Sequence, residues 1–421
     1  MSAIKNELLS LSLIFEDCNI SFNKLKKCTQ EFIHIFSNFS DQRNQSYIKY
    51  KLANLIGICF YMALIGKLTS FYYVEQYIQA KPKKFIKLGL VEKGKYPSND
   101  TLMRAFSMLD NKELHEIILK KIKQFYDKAS RYKTAHGKEI ISGDGQMVRG
   151  TKITHYDGSS DYGINVLNLY NVSNAITICS TIVDTKENEI PVLQNILNRL
   201  DLKNKIITAD ALHCQKETVK IVSSKRGDYL FKVKDNQKEL KAKITALFKK
   251  NNRIKQIEDS NGSYKIIHLN GHEIAPEWDK ANSIVLYNSY KRKERKDDSE
   301  IINQYFLTSL KDNEEIIETI DKRWTIENGL HKFKDVQLGQ DKIQTRNKNA
   351  LKNMVTMNNI VYAMYRIVAQ LKKVTPQRLK IAYEDDPMEF IEVIFPLFYG
   401  HNFTNLIKQN MRGTKESKLK K

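Results

Sequence analysis

The feature that most constrains the fold lies between residues 138 and 250, where strand-like runs give way to an alternation of strand and helix. Three β-rich runs come in series, and short apolar strands then alternate with amphipathic helices. The three runs are EIISGDGQMVRG, YGINVLNLYNV and ITICSTIVD. Strands in series followed by strand–helix alternation predict a mixed sheet with helices on its faces. We therefore predict an α/β fold for this region.

The regions around this alternation differ from it in pattern. Apolar residues at helical spacing predict an all-helical N-terminal domain at residues 1–135, ahead of the first part of the α/β core at 136–250. Residues 251–312 hold short strands and the cationic run KRKERK, which indicates a β-rich basic insertion. The core resumes at 313–345 with an amphipathic helix. Residues 346–421 are predicted to form a helical C-terminal region with a basic tail.

The charge of the chain indicates its partners. The formal net charge is +21 over 421 residues. Such an excess favours nucleic acid, because phosphate neutralisation dominates that kind of binding, while a ribosomal or membrane-surface role is the alternative. A lysine cluster at residues 81–87 is either a DNA backbone contact or a solvated loop.

The sequence also predicts a cytoplasmic protein with no membrane partner. Its five cysteines form no CxxC pair, which argues against a zinc ribbon or a disulfide framework and fits a reducing compartment. The first ten residues, MSAIKNELLS, lack the basic-then-apolar layout of a signal peptide. The longest apolar run, at residues 52–66, is too short to span a bilayer and predicts a buried helix.

Two aspartates follow apolar strand-like runs and are candidates for chemistry. Asp144 lies in IISGDGQMVRG beside two glycines, and Asp210 ends the run KIITAD. An ionised aspartate at the end of a buried strand is costly unless it is paired or binds a metal. Each also has a structural interpretation, since Asp144 suits a turn and Asp210 suits the N-cap of the next helix.

A third acid lies in the stretch IDKRWTIENGLHKFKD at residues 320–335. The stretch is predicted to form one amphipathic helix with Arg323, Glu327 and Lys334 on one face. These charges are either a surface row of ion pairs or a metal-binding acid between two phosphate-binding cations. With Asp144 and Asp210, Glu327 completes an oxygen-rich set suited to Mg²⁺ or Mn²⁺, two ions of which can activate and stabilise the oxygens of a phosphodiester.

This order of strands, two aspartates, an insertion and a helical glutamate resembles the RNase H-like core of DDE transposases. The spacing of Arg323, Glu327 and Lys334 matches three positions of the YREK signature of insertion-sequence transposases, with Ile320 at the tyrosine position. Residues 45–370 resemble the ISAs-type (H-repeat-associated) family more closely. The motifs are YPSNDTLMRAFSMLD, DGQMVRGT, NEIPVLQNIL, ITADALHCQKE, GDYLFKVKDNQ, RWTIENGLHKFKDV and KNMVTMNNIVYAMYR.

The resemblance implies roles for particular residues. The catalytic acids, which would also bind the metal, are Asp144, Asp210 and Glu327. The cofactor would be Mg²⁺ or Mn²⁺, with two ions bound. The predicted DNA-binding residues are all basic: Arg323, Lys334, Arg149 and Lys216. 

The chain departs from the family pattern at three positions. Gln146 replaces a usual lysine, Asp235 replaces a usual glycine, and Ile320 replaces the signature tyrosine. None of these changes removes a predicted metal ligand.

Two further residues have competing interpretations. His331 follows Glu327 by one turn, and it either approaches the metal site or serves as a packing or supporting residue. Trp278 in the insertion either stacks on a DNA base or belongs to the core.

The resemblance implies an insertion-sequence transposase of bacteria that acts at the nucleoid. Its substrates would be double-stranded DNA, both the terminal inverted repeats and the target, bound by a homodimer, with the N-terminal domain binding the DNA end. The reaction would be metal-dependent phosphodiester hydrolysis and transesterification. Two alternatives remain: a domesticated or inactive copy that only binds DNA, and another RNase H-like nuclease.

Overall fold

The computed structural model describes most of the chain in nine stretches. The described residues are 36–117, 134, 136–183, 189–250, 253–270, 273–274, 276–289, 303–384 and 390. The predicted helices before residue 36, the cationic run at 291–296 and the basic tail lie outside these residues. Within them, no helix has the length and hydropathy needed to cross a membrane.

The chain divides into two compact units. The first unit contains Met1–Arg131, Val148–Ile164 and Lys332–Lys421, and the second contains Tyr132–Met147 and Asn165–His331. The predicted N-terminal and C-terminal helical regions therefore share one unit, and the predicted insertion shares the other with the first part of the core. The five predicted regions stay a prediction as domain boundaries.

The second unit is built on a mixed sheet of nine strands in the order β3-β2-β1-β4-β5-β9-β8-β7-β6. The strands are β1 (Glu139–Val148), β2 (Ile164–Asn171), β3 (Ile176–Val183), β4 (Lys205–Ala209), β5 (Asp228–Val233), β6 (Lys255–Glu258), β7 (Gly262–His268), β8 (Ser283–Ser289) and β9 (Gln304–Thr308). The predicted α/β fold with a mixed sheet is confirmed.

The centre of this sheet is parallel and its flanks are antiparallel. β4 pairs in parallel with β1 on one side and with β5 on the other. β9 pairs antiparallel with β5, and β8, β7 and β6 follow in antiparallel order. The β-rich segment predicted as an insertion therefore extends the central sheet, because β9 supplies the backbone partners that β5 would otherwise lack at its open edge.

Helices cover the sheet and enclose its core. They are α5 (Glu189–Arg199), α6 (Lys216–Ser224), α7 (Lys238–Lys250) and α8 (Asn313–Arg323). Buried apolar side chains such as Leu193 on α5 and Val222 on α6 pack with Phe231 on β5 in one core cluster. Trp278 belongs to the same cluster and is buried, so the core interpretation of this tryptophan is confirmed.

The first unit is helical in its described part. Its helices are α1 (Leu52–Leu64), α2 (Phe71–Ala80), α3 (Pro82–Lys87), α4 (Asn99–Met108), α9 (Lys332–Val336), α10 (Lys348–Leu371) and α11 (Pro376–Ala382). Asn353 on the long helix α10 is fully buried and donates to the carbonyl oxygens of Phe106 and Leu109. These bonds satisfy carbonyl groups at the end of α4, which have no partner inside their own helix.

The stretch at residues 320–335 is not one regular helix as predicted. α8 ends at Arg323, a π-helical segment runs from Ile326 to His331, and α9 follows directly. Leu330 and His331 are both buried in this segment. Wide π turns of this kind are frequent at functional sites.

Candidate active site

The pairing of β1 with β4 brings two of the predicted acids together. In this parallel register Gly143 lies opposite Ala209, so the next residues, Asp144 and Asp210, occupy neighbouring positions. Asp210 follows the last residue of β4, at the carboxyl end of the parallel strands. Carboxyl ends of parallel strands are the usual place for ligands in α/β sheets. The predicted meeting of these two aspartates at one edge is confirmed.

Asp210 does not serve as the helix cap that was its alternative interpretation. It occupies the N-cap position of the short 3₁₀ helix Ala211–His213, but its side chain makes no capping hydrogen bond. Burial raises the pKa of this carboxyl, and the backbone N–H of Ala211 together with Lys234 and Arg323 outweighs that effect, so the pKa lies below its usual range. The Nζ atom of Lys234 is 3.5 Å from Asp210 Oδ1. Asp210 is therefore held ionised.

Glu327 lies in the π-helical segment and interacts electrostatically with both aspartates. Partial burial and repulsion from Asp144 and Asp210 raise the pKa of Glu327, while attraction from Arg323 opposes the shift. A cleft of about 720 Å³ opens beside it, lined in part by Trp324 and Asn328. The three acids thus form one electrostatically coupled group with an open approach.

Arg323 is a buried cation at this group of acids. Its guanidinium carbon lies 4.6 Å from the ring centre of Trp324 and 5.4 Å from that of Phe306. Burial lowers the pKa of Arg323, and the charges of Glu327, Asp210 and Asp144 oppose that shift. In the described part of the chain, the Nη1 atom makes no hydrogen bond. A buried guanidinium nitrogen without a partner is costly unless another ligand completes it.

His213 and Glu189 lie behind the two aspartates. The Nε2 atom of His213 is 3.8 Å from Glu189 Oε2. Burial lowers the pKa of His213 to about 4, despite the opposing charges of Asp144 and Asp210, so the ring is neutral and the contact is not an ion pair. A Cβ atom on Gly145 would lie 2.7 Å from both carboxylate oxygens of Glu189. Glycine at 145 therefore lets Glu189 approach the strand that carries Asp144.

His331 also reaches the first aspartate. Its Nδ1 atom lies 3.3 Å from Asp144 Oδ2, and the side chain is buried. The sequence left His331 between a residue near the metal and a supporting or packing residue. The structure places it against a predicted metal ligand.

The other predicted basic residues occupy different surroundings. Lys334 lies in the first unit, where it is fully buried and its Nζ donates to Asn359 Oδ1 at 2.9 Å. Burial lowers the pKa of Lys334 to about 7, opposed by Asp335. In this structure Lys334 does not present its amine to solvent, and its phosphate-binding role stays a prediction.

Arg149 and Lys216 are both accessible. Arg149 belongs to the first unit and lies 3.4 Å from Asp341 through Nε. Lys216 begins α6 in the second unit and pairs with Glu277 at 2.8 Å. Both side chains lie at the surface, and their DNA-binding roles stay predictions.

Ile320, Gln146 and Asp235, the three positions at which the sequence departs from the expected pattern, have different surroundings. Ile320 is fully buried, so this position contributes to packing rather than to an exposed hydroxyl contact. Gln146 is buried on β1, two residues after Asp144. Asp235 is exposed and pairs with Lys241 at 2.7 Å.

Sequence reasoning missed several residues around the acids. His213 and Glu189 each lie inside a motif that was quoted for the resemblance, which was the available signal. Lys234 likewise lies inside one of these motifs, GDYLFKVKDNQ. No local pattern predicted that these residues converge on Asp144 and Asp210, because the contacts join elements far apart in the chain.

The donor chemistry of this group fits a divalent cation. The described residues form no set of three metal-ligating side chains already arranged around one point. The group nevertheless combines three carboxylates, the donors preferred by Mg²⁺ and Mn²⁺, with mutual repulsion that a cation would relieve. The neutral buried ring of His213 adds no competing charge.

Comparison with known proteins identifies the family. The model of the transposase DDE domain matches residues 135–364, and the DDE_Tnp_1-associated model matches residues 33–121. The chain belongs to the transposase DDE domain family.

Individual relatives agree with this assignment. The transposase candidate YncI of Escherichia coli O157:H7 is 25% identical over 84% of this chain and 92% of its own length. The H repeat-associated transposase candidates YhhI and YbfD of E. coli K12 are 26% and 31% identical. They cover 78% and 52% of this chain and 87% and 79% of their own lengths. The predicted resemblance to H repeat-associated transposases is confirmed.

Proposed function

We propose that this chain is an insertion-sequence transposase that cleaves DNA at the ends of its element and joins those ends to target DNA, with Mg²⁺ or Mn²⁺ as cofactor. The observation that carries the proposal is the coupled group of Asp144, Asp210 and Glu327 at the carboxyl edge of the parallel strands. Membership of the transposase DDE domain family supports the same reaction class.

The three acids would hold two divalent ions through carboxylate oxygens. When bound, such ions activate an attacking water or 3′-hydroxyl and stabilise the leaving oxygen of a phosphodiester. Asp210 is suited to this role because its pKa is held low. The raised pKa of Glu327 indicates that its ionised form benefits most from a cation.

Arg323 would contribute a fixed positive charge next to the scissile phosphate. Its planar guanidinium is oriented by two aromatic rings, and its Nη1 donor is free to bind an oxygen within the described surroundings. The exposed Arg149 and Lys216 would contact phosphates further along the DNA. Binding of terminal inverted repeats by a homodimer, with the N-terminal helical region reading the DNA end, completes the proposal.

The chemistry is tested on a supercoiled plasmid that carries the inverted repeats bracketing the reading frame. The Asp210→Asn variant should bind these ends as the wild type does and should fail to cleave them with Mg²⁺. A matched control is Asp201→Asn, because Asp201 is an exposed aspartate outside the site whose carboxylate caps the Lys203 N–H. Wild-type cleavage by Asp210→Asn would refute the assignment of Asp210.

The same assay separates a transposase from a nuclease of related fold. A transposase joins the cleaved ends to a second DNA molecule, whereas a nuclease stops after nicking. Joined products that depend on the inverted repeats are expected. Nicking without joining would favour the nuclease.

End binding is tested on the exposed lysines of α3. Lys83 and Lys84 lie on the surface of this short helix. If the lysine cluster contacts DNA, replacing both by alanine should weaken binding and reduce the salt dependence of the affinity. Unchanged affinity at every salt concentration would restrict this cluster to a solubilising role.

A further inference from the structure

A chain of polar side chains leads from the interior of the second unit to Asp144. His331 is its central member, with Nδ1 facing Asp144 Oδ2 at 3.3 Å. On the other side of the ring, Nε2 lies 3.2 Å from the amide nitrogen Nδ2 of Asn168. The two ring nitrogens therefore have different partners, and those partners determine which nitrogen carries the proton.

The orientation of the Asn168 amide is fixed by two further contacts. Ser180 Oγ donates to Asn168 Oδ1 at 2.7 Å. Asn168 Nδ2 lies 3.4 Å from the carbonyl oxygen of Val166, which can only accept. If the Asn168 amide were flipped, its oxygen would face the carbonyl oxygen of Val166, and neither of these two acceptors could donate a hydrogen. The nitrogen of Asn168, with its hydrogens, thus faces the ring of His331.

The backbone makes this arrangement rigid. Asn168 on β2 and Ser180 on β3 are direct partners in the antiparallel register, so their side chains lie side by side on one face. Asn168 is fully buried, and Ser180 and His331 are nearly so. Water therefore has little access to the links behind the ring.

The tautomer of His331 follows from these contacts. Because Asn168 donates to Nε2, that nitrogen acts as the acceptor and carries no proton. A neutral imidazole then carries its proton on Nδ1, the nitrogen that faces Asp144. Donation then runs from Ser180 to Asn168 and from Asn168 to His331, and Nδ1 of His331 faces Asp144 Oδ2 at 3.3 Å.

We infer that His331 is a positioning residue that orients Asp144. In this role the His331 ring carries its proton on Nδ1, and Asn168 and Ser180 set that tautomer. This inference rests on the proposed function, since it assigns Asp144 to metal binding. The imidazole orients one carboxylate oxygen of Asp144, Oδ2. Supporting donors of this kind tune metal affinity by about 10–100-fold.

The two aspartates are therefore supported in different ways. Lys234 contacts Asp210 with a positive charge, and in the inferred tautomer His331 contacts Asp144 with an uncharged ring. A neutral donor orients a carboxylate without cancelling the negative charge that attracts the ion. Asp144 is accordingly expected to supply more of the electrostatic attraction for the cation.

The tautomer can be measured directly in metal-free protein. In the full chain labelled with ¹⁵N-histidine, the His331 signals assigned by their loss in His331→Asn should show a protonated Nδ1 and an unprotonated Nε2 at neutral pH. A protonated Nε2, with or without a proton on Nδ1, would overturn the inference. This measurement does not depend on metal binding or on activity.

The positioning role is tested by two amide substitutions of similar size. Asparagine places a donor near the position of Nδ1, and glutamine places its amide near Nε2. His331→Asn should therefore bind Mn²⁺ close to wild type in the full chain, measured by electron paramagnetic resonance. His331→Gln and His331→Leu should bind it about 10–100-fold more weakly. Thermal melting shows whether each variant is folded. If His331→Leu is unfolded, the Mn²⁺ affinities of His331→Asn and His331→Gln alone test the positioning role.

A matched control removes a histidine–aspartate contact elsewhere in the same unit. His136 lies 3.5 Å from Asp312 at the surface, and His136→Asn should leave Mn²⁺ affinity unchanged. Equal Mn²⁺ affinity in all three His331 variants, or an asparagine variant as weak as the leucine variant, would overturn the positioning role. If Asp144→Asn also binds Mn²⁺ as wild type does, the proposed metal site itself fails, and the tautomer measurement still stands.

Discussion

The charged groups at the two ends of the parallel strands differ in how they are paired. At the amino ends, Lys138 precedes β1, Asp228 begins β5 and Glu315 lies in the first turn of α8. Lys138 Nζ is 2.8 Å from Asp228 and 2.9 Å from Glu315, and Thr134 donates to Glu315 at 2.6 Å. Ser309 donates to Asp228 at 2.8 Å. Each charge at this end has close partners of complementary character.

The carboxyl ends hold like charges and incomplete partners. Asp144 and Asp210 are neighbours, and both repel Glu327. Among the described residues, the buried atoms Arg323 Nη1 and His213 Nδ1 have no hydrogen-bond partner. Proteins satisfy nearly all buried polar atoms, so each exception calls for an explanation. We therefore expect the amino-end network to stabilise the fold and the carboxyl-end acids to bind a ligand.

The largest expected effect on stability belongs to the amino-end network. Glu315→Gln removes a nearly inaccessible charge that Lys138 and Thr134 contact, which should lower the free energy of unfolding by up to about 3–5 kcal/mol. Urea unfolding of the metal-free protein measures the change. The adjacent, exposed Glu314 provides the control, since Glu314→Gln should have little effect. Equal effects of the two substitutions would remove the contrast between the strand ends.

A smaller effect is expected from a methyl group on β1. Gly145→Ala places a Cβ atom 2.7 Å from both carboxylate oxygens of buried Glu189 and should cost about 1–3 kcal/mol. The displaced carboxylate lies beside His213. The rate of DNA cleavage should therefore fall even under conditions in which Gly145→Ala remains folded.

The neighbouring glycine on the same strand is the control. A Cβ atom on Gly143 would meet its nearest neighbour, Leu193, at 3.4 Å, an ordinary contact. Gly143→Ala should therefore retain more stability and more cleavage than Gly145→Ala. The reverse order would show that Glu189 moves aside without consequence.

The smallest effect has the opposite sign. Folding raises the pKa of Glu327, so its ionisation opposes folding at pH values above that raised pKa. Glu327→Gln should therefore slightly raise the melting temperature of the metal-free protein at neutral pH. As pH falls through the raised pKa towards the ordinary value of about 4, both states become protonated and the gain should vanish.

The same pair of melting curves can contradict this expectation. A lower melting temperature of Glu327→Gln at neutral pH would mean that Glu327 stabilises Arg323 more than it is repelled by the aspartates. The carboxyl-end group would then resemble the amino-end network.

The parts of the fold that the sequence predicted are those set by local pattern. Alternating apolar runs predicted the strands of the α/β core and those of the β-rich segment, including β7, β8 and β9. The apolar strand-like runs before Asp144 and Asp210 predicted that the two residues meet, and the parallel pairing of β1 with β4 brings them to neighbouring positions.

The remaining features depend on contacts that no local pattern encodes. The π turn before His331 looks like ordinary helix in sequence, since both turn types use the same residues. The burial of Lys334 results from packing against Asn359, which lies 25 residues later. The chain from Ser180 to His331 likewise joins elements distant in sequence. Each of these became visible only with the tertiary structure.

Asp144, Asp210 and Glu327, at the carboxyl ends of the parallel strands, are proposed to bind the catalytic metal. The most direct measurement compares Mg²⁺ and Mn²⁺ in cleavage of element ends by Asp210→Cys. A thiolate is a poor ligand for Mg²⁺ and a better one for Mn²⁺. The variant should therefore be inactive with Mg²⁺ and regain cleavage with Mn²⁺, while the surface control Asp201→Cys keeps the wild-type response to both ions. Equal cleavage by Asp210→Cys with either ion, or no recovery with Mn²⁺, would contradict metal binding by Asp210.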